Sequence, residues 1–294
     1  MDRVLLTLTS SESKRLIGKA IANLPQVKKA YKHGIVFIAT STSTAYVVEE
    51  LLNRTMEGKG FFTAGVVVPR GICITLGKRR HKYIGVKNGV EENVTLTELK
   101  EKWLPEMDHD DVFIKGANAI DSSGASAILL GNAQGRGTGG TIAAAMGTIS
   151  TRGVNLIIAA GLEKLVPGSL VDVAPTVGGP FKYAAGLPSG MMLVKGNLIT
   201  EIQAFKILSG ARAIPIASGG INGAEGCHTF IVEGTVNEVE KAWKLFKSIK
   251  GETPLTTVTE NCNECKRGCH YNIDPDLIEL RKKNEILDGH KEIC

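Results

Sequence analysis

The chain has 294 residues, 43% apolar and 5% aromatic, with 35 basic against 30 acidic side chains and a formal net charge of +5. That length suits one large domain or two modest ones with a real core. So few aromatics argue against a nucleic-acid binder of the stacking type, and the longest apolar runs are strand-length, far short of the roughly 20 residues that span a bilayer.

In chain order, VLLTL reads as a first strand. The apolar run it sits in is too short for a secretory signal, so a soluble, cytoplasmic protein without a membrane partner is expected. Thr9 stands three residues before Glu12, a capping-box spacing that starts a helix through SKRLIGKAIANL. Pro25 kinks or divides this helical region and Gly34 closes it. IVFIAT (35–40) is a continuous apolar strand of the kind buried on both faces of a parallel sheet. It leads through STST into a helix, AYVVEELLNRT. Extended pieces AGVVV and GICITL follow, then a helical LTELKEKWL stopped by Pro105. The basic run KRRHKY (78–83) occupies a loop, as a solvated turn or a grip on substrate phosphates.

Next come strands DVFIKG and ASAILLG around the turn ANAIDSSG, a helix TIAAAMGTISTRG and a buried strand NLIIAAG. Strands alternating with helices predict an α/β fold with a Rossmann-like doubly wound sheet over residues 1–171. A Gly/Pro-rich stretch separates it from a strand MMLVKG, a helix ITEIQAFKILSG, strands ARAIPIASG and CHTFIVEG, and a helix whose Thr235 and Glu238 again have capping-box spacing. That order predicts a ferredoxin-like α+β second unit over 190–251. Residues 252–294 are polar and form a Cys-bearing C-terminal tail.

Ligands of doubly wound sheets bind at the carboxyl ends of strands, where two unusual loops fall. GNAQGRGTGGT (131–141) puts five glycines into eleven positions before a helix. Gly137, Gly139 and Gly140 let backbone amides approach an anion, the helix beginning near Thr141 aims its positive end there, and Arg136 adds a bidentate contact. A flexible connector is the plain alternative. TSTST, comprising Thr40, Ser41, Thr42, Ser43 and Thr44, supplies hydroxyls and amides at a second strand end, as a ligand loop or only a helix cap. Asn118, Asp121, Glu163 and Lys164 fall near the same edge, Asn118 and Asp121 as ligand contacts and Glu163 and Lys164, just past a buried strand, as candidate catalytic residues, although Asp121 before SSG also suits a turn. Glu225, Cys227 and His228 lie within four residues, as an acid/base or thiol group or as an ordinary hairpin loop.

IVFIATSTSTAYVVEEL resembles the strand, phosphate loop and helix of ribose-5-phosphate isomerases, DVFIKGANAID resembles their Gly-Ala-Asp-Glu turn, and GTISTRGVNLIIAAGLEKLVPGSL resembles the segment that follows. The likeness spans residues 1–250 in outline and extends to a superfamily that includes glucosamine-6-phosphate deaminases, CoA transferases and folate cyclo-ligases. It implies a sugar-phosphate-type site at TSTST. The departures are chemical. Positions 118 and 119 are Asn and Ala where the resemblance calls for an acidic pair, and TIAAAMG has no ionisable group where the isomerase keeps its base. Proton abstraction beside a carbonyl requires a positioned base, so isomerase activity is not expected. GLEKL likewise lacks the Glu-Asn-Gly setting of a CoA-transferase nucleophile.

In the tail, Cys262, Cys265 and Cys269 have the spacing C-x2-C-x3-C, and three thiolates in eight residues can converge on one metal. The cofactor expected is an iron–sulfur cluster, with zinc as the alternative, and His270, His290 or Cys294 as fourth ligand. The function expected is binding of a small anionic metabolite (phosphorylated, or CoA- or nucleotide-like) and action on it with the tail metal. The alternative is a non-catalytic metabolite-binding or regulatory module with a structural metal tail. A homo-oligomer is the default expectation.

Overall fold

The computed structural model describes residues 1–131 and 137–283. Strand β1 (Asp2–Leu8) leads to α1 (Ser10–Ala22), α2 (Pro25–His33), β2 (Ile35–Ile38) and α3 (Thr44–Leu52). A hairpin β3 (Gly65–Val68) and β4 (Gly71–Ile74) is followed by β5 (Tyr83–Lys87) and β6 (Val90–Val94). Helical turns α4 (Leu96–Glu98) and α5 (Leu104–Glu106) flank a π-helical stretch, Leu99–Trp103, so Pro105 begins a turn of the helix instead of ending it. Pro lacks only an N–H that a first turn leaves unused. Then come β7 (Val112–Gly116), β8 (Ala119–Ile120), β9 (Ser126–Gly131), α6 (Gly140–Arg152), β10 (Asn155–Ala159) and α7 (Leu170–Val173). The last elements are β11 (Ser189–Val194), β12 (Asn197–Ile199), α8 (Glu201–Ser209), β13 (Arg212–Ser218), β14 (His228–Gly234), α9 (Val236–Ile249) and α10 (Pro275–Lys283).

The fold is α/β around a mixed six-stranded sheet in the order β12-β10-β7-β2-β5-β6. β12, β10, β7 and β2 run parallel, and β5 and β6 are added antiparallel. Register aligns Ile38, Ile114 and Ile157 across the centre, and Phe37, Phe113 and Leu156 one step before them. The Phe37 and Phe113 rings stack at 5.0 Å and are fully buried. Among the described residues no helix is long and apolar enough to cross a membrane.

Both capping boxes form. Glu12 N–H donates to Thr9 Oγ1 at 3.2 Å, and Thr9 N–H donates to the Glu12 carboxylate at 2.8 Å. Thr235 and Glu238 repeat the pair at 3.4 and 2.8 Å. Pro25 divides rather than kinks, opening a second helix after Leu24.

Strand partnership differs from the sequence expectation. ASAILLG leaves the parallel layer and, as β9, forms a separate antiparallel sheet with β8 and β11. The strands read as a ferredoxin-like unit are split between two sheets: β11 pairs with β9, while β14 lies between β1 and β13 in a sheet of its own; β12, a strand the sequence reading did not include, extends the parallel sheet beside β10. β1 runs antiparallel to β14 from Asp2 opposite Gly234 to Leu8 opposite His228. The open edge of β10 and the lone N-terminal strand each need a partner for their backbone groups, and residues 197–199 and 228–234 supply them.

The segment after α9 is tied down by charge and by backbone. The Arg15 guanidinium contacts Glu49, Glu50 and Glu252, and Lys59 contacts Glu49 and Glu252, which links α1, α3 and the start of the tail. The tail then runs antiparallel to β4, with Leu76 N–H donating to Val258 O at 2.8 Å and Glu260 N–H to Ile74 O at 2.9 Å. Phe113→Ala should lower stability by roughly 3–5 kcal/mol through lost burial and a cavity against Phe37, read as a fall in the urea midpoint.

Candidate functional site

The carboxyl ends of β2, β7 and β10 open into a cleft of about 430 Å³. Thr40, Ser41 and Thr42 line it from β2, Asn118 from β7, Lys164 from β10, and Thr138, Gly139, Gly140 and Thr141 from the start of α6. The β3–β4 hairpin and Leu187 form the facing wall. Gly139 and Gly140 both have positive φ, 72° and 58°. A Cβ on Gly139 would stand 2.4 Å from the Ala143 Cβ, so glycine is required for α6 to begin here. No side chain caps α6, so its first amides face the cleft edge with the positive end of the helix dipole.

In the hydroxyl loop, Thr44 and Ser43 stand behind the lining. Thr44 N–H donates to Ser41 Oγ at 3.0 Å, and Thr44 Oγ1 donates to Ala39 O at 2.6 Å, which fixes the entry to α3. The Ser43 hydroxyl is buried with no hydrogen-bond partner among the described residues. Thr141 Oγ1 donates to Tyr83 Oη at 2.7 Å across the cleft floor.

Lys115 is the lysine that sequence reading passed over. It lies one residue before the end of β7, and its ammonium donates to Thr40 O at 3.0 Å. Lys115 lines the cleft and is half-buried, and burial pushes its pKa down to about 8. Lys164 is also held below the usual lysine range, by burial first, against the opposing pull of Glu163.

Glu163 turns the other way, into a buried group with Lys14, Glu201 and His228. Lys14 Nζ lies 3.0 Å from the Glu163 carboxylate. Burial pushes Glu163 upward, but the charges of Lys14 and Lys164 outweigh it and hold it below the usual carboxylate range. Glu201 is fully buried and accepts from Leu162 N–H at 2.9 Å. Burial, and then the charge of Glu163, push it up to about 7. A Cβ on Gly161 would fall 2.0 Å from one Glu163 oxygen and 2.9 Å from one of Glu201, so glycine makes room for two carboxylates. Burial lowers the His228 pKa while Glu163 opposes the shift.

A second, smaller pocket is lined by Cys262, Cys265 and Cys269 together with Cys73 of β4. Among the described residues, no three His, Cys, Asp or Glu side chains already stand at metal-ligating geometry. His270 faces elsewhere: its Nδ1 accepts from Ala184 N–H at 2.9 Å and its ring packs edge-on against Tyr183. His290 and Cys294 lie outside the described residues, as does Arg136 of the glycine loop.

No protein-family model, no curated protein and no solved structure matches this chain.

The structure therefore brings together Thr40, Ser41, Thr42, Asn118, Gly139, Gly140, Thr141 and Lys164 around one cleft. Gly137 adjoins that group in sequence without lining the cleft. Asp121 lies outside it and organises a turn, accepting from the Ser123 hydroxyl first and then from Leu170, Ala125 and Ser123 N–H, bonds that hold its carboxyl below the usual range. Glu225 is exposed and accepts from Gly223 N–H, while Cys227 is buried with a thiol pushed up by burial. Apart from Tyr83 no residue of the run KRRHKY lines the cleft; Arg79 lies over the Phe61 ring and Arg80 donates to Thr75 O.

The unfolded chain holds the Lys115 proton to near pH 10.5, whereas the folded protein releases it near pH 8. Between those values the unfolded state binds more protons, so stability rises with pH. The rise should total roughly 3 kcal/mol, less whatever cleft water screens. Urea unfolding from pH 7 to 11 should show this gain in the wild type relative to Lys115→Met.

Proposed function

We propose that the chain binds a small anionic metabolite in the cleft at the carboxyl ends of its parallel strands and acts on it through Lys115. One observation carries this reading: among the described residues lining the cleft, Lys115 and Lys164 are the only charged side chains, and no carboxylate is among them. Two helix starts, α3 and α6, add the positive ends of their dipoles. A phosphate, or the pyrophosphate of a CoA- or nucleotide-like compound, satisfies such a set of donors. The β2–β7–β10 layer then serves as a Rossmann-like binding scaffold, and β1, β14 and β13 with their helices stand for the ferredoxin-like part. The resemblance to the ribose-5-phosphate isomerase group agrees at the hydroxyl loop, since Thr40, Ser41 and Thr42 line the cleft.

Lys115 also supplies what the missing isomerase base left open. An amine with a pKa of about 8 is neutral in about a tenth of molecules at pH 7. Neutral, it can take a proton beside a carbonyl or add to one; protonated, it pairs with an anion. A non-catalytic metabolite-binding module is the second reading. It is favoured by the absence of a carboxylate partner for acid/base work among the cleft-lining residues and by the position of the thiols behind the wall of Ile72, Ile74 and Leu187.

The test is calorimetric titration with pyrophosphate and with acyl-CoA and sugar-phosphate panels. Lys115→Met should weaken anion binding at least tenfold, about 1.4 kcal/mol. Gly139→Val should abolish it while circular dichroism still reports a folded chain. Unchanged affinity in both variants would overturn the cleft assignment. Turnover of any panel member, lost in Lys115→Met, would separate enzyme from binding module.

A further inference from the structure

We propose that Cys73, Cys262, Cys265 and Cys269 bind one thiophilic metal centre as a four-thiolate site that pins the tail to the cleft wall. The proposal is independent of what the cleft binds. It goes beyond the C-x2-C-x3-C run by assigning a fourth thiol from a strand almost two hundred residues away, in place of His270.

Backbone geometry brings the four together. Thr75 bridges Thr259 antiparallel, so residue 73 falls opposite residue 261, beside Cys262. Leu187 N–H donates to Ile72 O at 2.7 Å, placing the 184–187 segment beside the tail along the edge of β4 that β3 leaves open. That segment reaches the tail again, with Gly186 N–H donating to Cys269 Sγ at 3.1 Å and His270 N–H to Ala184 O at 2.8 Å. The pocket is thus enclosed by three chain segments, each hydrogen-bonded to the next. The Cys73 sulfur lies within electrostatic reach of those of Cys262 and Cys269, and that of Cys265 within reach of Cys262.

The surroundings fit a charged sulfur site. Four thiols binding a divalent ion release four protons and leave a net charge of −2. Two guanidiniums border the pocket: Arg70 donates to Cys73 Sγ at 3.2 Å, and Arg267 lies beside Cys265 while also paired with Glu260. N–H and guanidinium donors to sulfur hold thiolates in place and stabilise their charge. The free space is about 30 Å³, room for a single ion once the sulfurs close on it. Zinc has the tetrahedral four-thiolate preference that this donor set offers. An iron–sulfur cluster, with the same ligands, requires the sulfurs to spread.

The centre also has a place in the architecture. Ile72, Ile74 and Leu187 border both the thiol pocket and the cleft, so a metal that locks β4 to the tail holds one cleft wall rigid.

The test uses the full chain purified without oxygen. Zinc, iron and acid-labile sulfide are measured per chain in the wild type, Cys73→Ser, Cys265→Ser and, as a control away from the pocket, Cys227→Ser. One centre per chain is expected in the wild type and in Cys227→Ser, with at least a fivefold loss in the other two. Stoichiometric zinc supports the single ion; iron with sulfide keeps the four-thiolate assignment and rejects the single ion. Full metal content in Cys73→Ser alongside loss in Cys265→Ser would overturn the assignment of Cys73. Absence of any centre, even after reconstitution with zinc or with iron and sulfide, would overturn the site. Should Cys73→Ser fold poorly, Co²⁺ loaded into partly folded material still decides the ligand count. Its sulfur-to-cobalt absorption per bound ion should fall by about a quarter, and an unchanged intensity would exclude Cys73.

Discussion

The parallel ladder of β2, β7 and β10 governs what the rest of the molecule can do. Apart from Asn155 at the start of β10 and Lys115 near the end of β7, its side chains are apolar or glycine and buried, and its backbone groups are committed to neighbouring strands. A layer of this kind has no room for unpaired polarity within it. Polar chemistry is therefore displaced to the strand ends, and at the carboxyl ends it gathers within a few residues of one line. Thr40, Lys115, Asn118 and Lys164 are neighbours because three strands stop at the same level.

Adjacent residues leaving β10 are sorted into opposite electrostatic worlds. Lys164 borders the cationic cleft, while Glu163 closes against Lys14 in the interior beside Glu201. The short 3-10 turn Leu162–Lys164 makes the division, and Gly161 gives it space. Keeping the carboxylates on the inner side leaves no acidic side chain among the residues lining the cleft, although Glu163 still acts on Lys164 from behind. Like-charge proximity to Glu163 and burial bring the Glu201 ionisation near neutrality, so the interior network holds a proton that a solvated carboxyl would have lost.

Much of this was readable in the chain itself, for reasons that are local. Capping boxes depend on residues three apart, continuous apolar runs announce buried strands, and the hydroxyl loop follows directly from its strand. What escaped reading was non-local. Whether ASAILLG joins the parallel layer or pairs with residues 189–194 depends on a partner almost sixty residues away. Lys115 reads as one charge at the end of VFIKG, and only the folded chain, which brings Thr40 O to its ammonium, supplies the burial that alters its chemistry. Cys73 reads as a small apolar residue of GICITL until the tail is laid beside β4. Conversely, Glu225, Cys227 and His228 are close in sequence but are dispersed by the loop and by strand alternation, with only His228 facing Glu163.

The pairing of β1 with β14 sets a condition on the order of assembly. Leu8 meets His228, 220 residues later, and a ribosome adding roughly 5–20 residues per second takes on the order of 10–45 s to cover that distance. Through that interval the first strand has emerged with neither hydrogen-bonding edge satisfied by its native neighbour. Leu5 remains exposed even in the finished fold, whereas Leu6 and Leu8 become buried. The nascent chain thus carries a sticky ribbon that must be shielded, or held loosely on the growing core by α1, until residues 228–234 have been made.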